Sequence, residues 1–262
     1  MIRCINFIRS EILKLWYSKI TKIVLILVIV FQAFLTYVEI KQILQIGLDA
    51  TPETNESLIE PIPPIEYLGF DSISFGMLPM VILGACYGGE EYKKHGMRTT
   101  LLCYSNKKFV LIGKTIATAI ITSIISFISI FITITIAHIV LGNNGLPLIT
   151  FNAMLWKFII LATISLSLIT VLSFIIAFGT RSTIITLIFL IPQIYNIGNW
   201  IGEKFEIGKY LPIYLGNQLI ATSEQMLTKY PLKNIVLILI WIICVGVFSF
   251  FRFKKSDLGG KY

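Results

Sequence analysis

The stretch IGKTIATAIITSIISFISIFITITIAHIVL, residues 112–141, decides the fold. It holds one charged side chain, Lys114, at its start, and one further ionisable group, His138, near its end. About 20 apolar residues suffice for a helix to cross a bilayer. The run is therefore read as a membrane span, long enough to tilt or to project beyond the lipid. Working outward, five more apolar segments predict spans at 22–38, 72–89, 158–178, 183–200 and 234–251. The expected fold class is thus an all-α polytopic membrane protein with six transmembrane helices. Pro79 and Pro192 are expected to kink the second and fifth. The bulk numbers agree: of 262 residues 56% are hydrophobic and only 14% charged, with a mean hydropathy of +0.83. That balance excludes a soluble enzyme, a disordered chain and a disulfide-stapled module. The four cysteines include no CxxC pair, so a thiolate metal site is not expected.

Charge sorts the loops. With the N-terminus placed inside, the inner segments hold 16 of the 22 basic residues and the outer loops hold 10 of the 14 acids. The positive-inside rule then puts both termini in the cytoplasm, which an even number of spans allows. Residues 1–21 read as an amphipathic interfacial helix before the first span, which is taken as a retained anchor. Ile5, Ile8, Ile12, Leu15 and Trp16 share its apolar face, and Arg3, Asn6, Ser10, Lys14 and Tyr17 share the polar one. The first outer loop, 39–71, carries seven acids and four prolines, and an extended path is expected there. It also contains Asn55-Glu56-Ser57, the form of a glycosylation acceptor. The aromatic-rich stretch 201–233 is too apolar for a loose loop and is expected to form two short helices dipping back toward the spans.

The segment 90–105 is the most informative: Glu90, Glu91, Tyr92, Lys93, Lys94, His95, Gly96, Met97, Arg98, then Leu101 and Leu102. It is highly charged and longer than the usual helix–helix connection of about 2–8 residues. A short helix broken at Gly96, seating Leu101 and Leu102 near the membrane, would make a docking surface.

Enzymatic constellations are not found. Gly113-Lys114-Thr115 imitates the end of a phosphate-binding loop, but Lys108 stands where a glycine is required. Glu90-Glu91 resembles the paired glutamates of CAAX-type membrane proteases, yet His95 occupies the place of the expected arginine. His138 is read as a hydrogen-bonded structural histidine. Hydroxyls form stripes: Thr122, Ser126, Ser129 and Thr133 share one face of the third span, and Thr163, Ser167 and Thr170 one face of the fourth. They suit tight packing first and a mildly polar transport path second. Gly84 and Gly88 offer a close-approach surface on the second span.

This order of parts resembles the permease subunit of type-2 ABC exporters. The likeness covers almost the whole chain and is most specific from Gly88 through Glu90-Glu91, Gly96, Arg98 and Leu101-Leu102 to Lys114. Asn106-Lys107 departs from the family pattern, where an arginine commonly follows the serine. The resemblance implies that 90–105 is a coupling helix, with Glu90, Glu91, Tyr92, Lys93, Lys94, His95, Gly96 and Arg98 contacting an ATP-binding subunit. It implies two ATPase copies, a second identical or related permease, and ATP with Mg bound by the partner rather than by this chain. Contact with nucleic acid is not expected. The compact form looks most like exporters of antimicrobial peptides, including the lantibiotic-immunity and bacitracin-resistance types of Gram-positive bacteria, placed in the plasma membrane. A non-transporting anchor or assembly subunit is the alternative, and an intramembrane hydrolase a third.

Overall fold

The structure, a computed structural model, describes residues 2–48, 50–54, 61–92, 96–147, 151–220 and 230–255. Among them every regular element is helical: α1 (Ile2–Tyr17), α2 (Lys19–Ile46), α3 (Met77–Glu90), α4 (Gly96–Cys103), α5 (Lys107–Leu141), α6 (Ala153–Thr180), α7 (Thr183–Pro192), α8 (Gly198–Lys204), α9 (Pro212–Asn217) and α10 (Pro231–Lys255), with short tight turns between. Five stretches are long and apolar enough to cross a bilayer: Lys19–Ile46, Ile65–Glu90, Lys107–Asn144, Ala153–Thr180 and Pro231–Lys255. Their outward faces are apolar, with Ile26, Val30 and Phe34 exposed on α2 and Ile243, Val247 and Phe251 on α10. Such surface is stable only against hydrocarbon, which makes the chain a multi-pass helical membrane protein.

The hub is α6, which contacts α3, α5, α7, α9 and α10. Small residues let its neighbours close in. A Cβ at Gly84 would strike the Thr170 carbonyl, and one at Gly88 the Phe174 carbonyl, so α3 and α6 meet backbone to backbone. Gly179 does the same for α6 and α10, meeting Ser249, whose hydroxyl donates to the Ile175 carbonyl at 3.0 Å. With 35 residues, α5 is about 52 Å long at 1.5 Å per residue. It overshoots a hydrocarbon core of about 30 Å. Asn106 caps its start, accepting from the Lys108 and Phe109 N–H groups at 3.1 and 3.3 Å.

Several boundaries differ from the sequence expectation. α2 runs to Ile46, so the first part of the expected extended loop is helix. Pro61, Pro63 and Pro64 do lie in irregular chain, while Asn55-Glu56-Ser57 falls outside the described residues. Pro79 does not kink a helix. It sits in the first turn of α3, where its missing N–H costs nothing. Pro192 does interrupt its helix: α7 stops there and passes into a π-helical turn, Gln193–Ile197, before α8. The apolar helix ending at Tyr195 is therefore shorter than the other spans. The short helices expected in 201–233 are represented by α9, which folds back on α6, where the Ser165 hydroxyl donates to the Gly216 carbonyl at 2.8 Å. Ser165 lies about 18 Å along α6 from its start.

At the end of the bundle near Gly69 and Ile73, α2 is tied to the turn Asp71–Gly76. Gln32 donates from Nε2 to the Ile73 carbonyl at 3.1 Å, and the Thr36 and Ser72 hydroxyls bond each other. Gln32 also accepts from Ser129 of α5. Polar groups are thus spent where no water reaches.

Gly84→Val is expected to lower thermal stability in detergent by about 1–3 kcal/mol through overpacking against α6. Gly246→Ala, where an added Cβ meets nothing within 4 Å, is expected to be neutral or mildly stabilising. Thermal unfolding of the two variants checks the contrast.

Candidate functional site

The site lies where α1, the last turn of α3, α4 and the first turns of α5 converge. α1 is amphipathic, but its buried stripe is Phe7, Glu11 and Leu15, spaced four apart. Ile8 and Ile12 are half-buried, whereas Ile5 and Trp16 of the expected apolar face are exposed. The reason is α5. Gly113 leaves a hollow that Phe7 fills, and Phe7 also packs on Tyr104 and Phe109, with ring centroids 4.7 and 5.3 Å away. Once Phe7 is seated, Glu11 one turn on must face the bundle.

Glu11 meets Lys114 there. Both residues are fully buried. Lys114 Nζ lies 2.6 Å from Glu11 Oε2 and 2.6 Å from Glu91 Oε1, and 5.3 Å from the centre of the Tyr87 ring. Tyr87 donates its hydroxyl to Glu11 Oε2 at 2.6 Å, and Lys14 donates to Oε1 at 2.7 Å. Removing a charge from water costs several kcal/mol, so a buried ion survives only when its partners saturate it. Here one ammonium is shared by two carboxylates, and both oxygens of Glu11 are bonded. Burial alone would push the Glu11 carboxyl up. The Lys114 charge and the bonds from Lys114, Lys14 and Tyr87 outweigh it, and hold the carboxyl below its ordinary 4.5.

The segment that follows is anchored twice more. The Tyr92 ring lies tilted against Phe178, centroids 5.4 Å apart, and under the Arg181 guanidinium, 5.2 Å from its ring centre. Arg181 reaches it from a left-handed backbone, φ 59°, which ends α6. Burial raises the Tyr92 phenol well above its ordinary 10, and the nearby Arg181 only partly offsets this. The Met97 N–H then donates to the Glu91 carbonyl at 2.8 Å, turning the chain into α4. Met97 and Thr100 are buried under this eight-residue helix, while Arg98, Thr99 and Cys103 lie on its exposed side. Leu101 packs partly into the core. Leu102 does not sit toward the membrane as expected; it is 87% exposed at the tip.

Of the residues singled out in the sequence, Glu90 and Arg98 lie at the surface, Gly96 opens α4, and Glu91 and Tyr92 turn inward. Lys93, Lys94 and His95 fall outside the described residues. Sequence reading missed Glu11 and Tyr87 and treated Lys114 as an edge residue. The available signal was an acid, Glu11, at four-residue spacing between the apolar Phe7 and Leu15.

The hydroxyl stripes sit within the chain's own helix contacts. Thr122 and Ser123 bond Ser167 across α5 and α6 at 3.1 and 2.9 Å. Ser129 bonds Gln32, and Thr163 and Thr170 donate to carbonyls of their own helix at 2.8 and 2.6 Å. Ser126 and Thr133 are buried with no hydrogen-bond partner among the described residues. His138 accepts at Nδ1 from the Leu146 N–H at 3.3 Å and packs against Phe151. Among the described residues no cluster of three His, Cys, Asp or Glu side chains is arranged to hold a metal ion.

Comparison with protein families, with curated proteins and with solved structures finds no match for this chain.

Lys114→Met strands two buried carboxylates and is expected to cost about 3–5 kcal/mol in detergent unfolding. Adding Glu11→Gln and Glu91→Gln to it should restore part of that loss. Because the Glu11 value is lowered by folding, its contribution is complete above pH 4.5 and is lost as the pH falls through the folded value. Thermal stability should therefore drop in acid below 4.5, and Glu11→Gln should flatten that part of the profile.

Proposed function

We propose that the chain is the membrane-spanning permease subunit of an ATP-driven exporter of the type-2 ABC layout. α4 is its coupling helix. The observation that carries the reading is the construction of that segment: a short helix stands off the ends of the spans, with Leu102 presented outward. Its root is locked to α1 and α5 through Glu91 and Lys114 and to α6 through Tyr92. A force on such an element moves the bundle instead of bending a loop.

In this reading both termini and α4 face the cytoplasm of a bacterial cell. α7, the π-helical turn and α8 together make a broken fifth span, and α10 the sixth. ATP and Mg are held by a separate ATPase, two copies of which dock against two permease chains, identical or related. Closure of the ATPases on ATP is passed through α4 as a two-state switch. The cargo class is amphipathic antimicrobial peptide or lipophilic antibiotic, which enters the path from the lipid or the cytoplasm. The acidic residues Glu53 and Glu66 in the segment before α3 suit cationic cargo. The contact surface for the ATPase is Arg98, Leu102 and Glu90, while Glu91 and Tyr92 act behind it as struts.

Two measurements test this. A membrane-impermeant maleimide should label the exposed Cys103 only after cells are opened. In vesicles holding the chain and its co-purifying ATPase, peptide should stimulate ATP turnover. Leu102→Asp should cut that stimulation about tenfold, the loss expected from one central contact residue, without removing the protein from the membrane. Cys103 labelled on intact cells, or stimulation indifferent to Leu102→Asp, would overturn the reading.

A further inference from the structure

Beside the ion cluster lies a half-open cavity of about 280 Å³, near the lower limit for small-ligand sites. The proposed transport role assigns it no ligand, although Glu90 and Glu91 of its lining also serve that reading. One wall is the start of α2. The first bond within that helix runs from the Lys22 N–H to the Ser18 carbonyl, so the Lys19, Ile20 and Thr21 N–H groups have no intrahelical acceptor. The Ser18 side chain caps none of them. Thr21, which also lines the cavity, is 1% exposed, and its hydroxyl has no partner among the described residues. Lys14, whose half-exposed ammonium also bonds Glu11 Oε1 at 2.7 Å, lines the cavity as well. Buried polar groups without partners cost free energy, and together with a helix N-terminus they select an anion of phosphate type.

The lining also carries the opposite sign. Glu90 is part of it, exposed and without an ion pair among the described residues. Glu91 beside it is already neutralised by Lys114. An anion alone would be repelled by Glu90 and a cation alone by the helix start. A zwitterion satisfies both. Quaternary ammonium groups are bound by several aromatic rings. Here, among the described residues, Tyr87 is the one aromatic residue in the lining, and it already lies beneath Lys114. A primary ammonium, with three N–H donors, suits a carboxylate instead. The rest of the lining is apolar, from Leu15, Ile20 and Leu83. Trp16 and Tyr17 lie exposed on α1 next to it, the residue types found at the level of lipid head groups.

We propose that this cavity binds a phosphoethanolamine group, carried by a membrane phospholipid. The phosphate lies against the start of α2, Ser18, Thr21 and Lys14, the ammonium against Glu90, and the acyl chains leave along Leu15, Ile20 and Leu83. Gly96, the first residue of α4, also lines the cavity, so the bound head group lies at the root of that helix.

The test uses the purified full chain in detergent, without any ATPase, so its result is independent of the transport reading. Thermal unfolding is followed against added dihexanoyl phosphatidylethanolamine, the corresponding phosphatidylcholine and phosphatidylglycerol, and soluble glycerophosphoethanolamine. The ethanolamine lipid should raise the melting temperature saturably and bind about tenfold more tightly than either other lipid, the discrimination expected of one charge-assisted hydrogen bond. Thr21→Val and Glu90→Gln should each weaken that binding about fivefold, the worth of one hydrogen bond, with neither lowering the lipid-free melting temperature. Glycerophosphoethanolamine binding as tightly as the lipid would support the site and assign its ligand to the water phase. Equal binding of phosphatidylglycerol or phosphatidylcholine, or binding indifferent to both substitutions, would overturn the proposal.

Discussion

One ammonium group organises the lower half of the molecule. Lys114 Nζ sits between Glu11 of α1 and Glu91 at the end of α3, 2.6 Å from each. An exposed pair such as Lys209 with Glu206, 3.7 Å apart, contributes almost nothing, because water competes for both charges. At Lys114 water is excluded, so every missing partner leaves an uncompensated charge. The two carboxylates must therefore stay where the ammonium is, and α1, α3 and α5 are held to one another by that requirement. Tyr87 completes it, giving its hydroxyl to Glu11 and its ring face to the ammonium.

Away from this point cohesion is of another kind. Helices in lipid gain little from burying apolar side chains, since hydrocarbon surrounds them in any case. Close packing and a few hydrogen bonds must hold them. The glycines at 84, 88 and 179 bring α3 and α10 onto the backbone of α6, and hydroxyls of Ser165, Ser173 and Ser249 bond carbonyls of neighbouring helices. α2 is tied near its middle through Gln32 and Thr36 and at its start follows directly on α1. The result is a closely packed bundle around α6. The same closeness lets Thr122 and Ser123 of α5 bond Ser167 of α6.

Much of the fold is legible in the residues. Apolar runs about 20 residues long announce helices wherever they occur, and α5, α6 and α10 sit where their runs do, each beginning three to five residues earlier. Pro192 marks a break because no helix can bond through it. Pro79 misled, since a proline is harmless in a first turn, and sequence alone does not say where a first turn begins. α2 outruns its apolar run because Glu39 and the polar residues after it remain good helix formers once the helix is nucleated. In the candidate site, the surface positions Glu90 and Arg98 were legible, whereas Gly96, expected to break a short helix, instead opens α4. The inward turn of Glu91 was not legible.

Composition and periodicity by themselves determined that this chain is helical, that it crosses a membrane several times, and that its charge is concentrated around 90–114. Those properties are local: each residue's transfer free energy and helical spacing set them without reference to distant chain. Only the tertiary structure decided that Glu11 and Glu91, eighty positions apart, share the cation of Lys114. It likewise decided that a cavity whose lining carries both signs of charge opens beside them. A buried charge declares its partner through three-dimensional proximity alone, because the low-dielectric interior rewards whichever opposite charge the packing brings within reach.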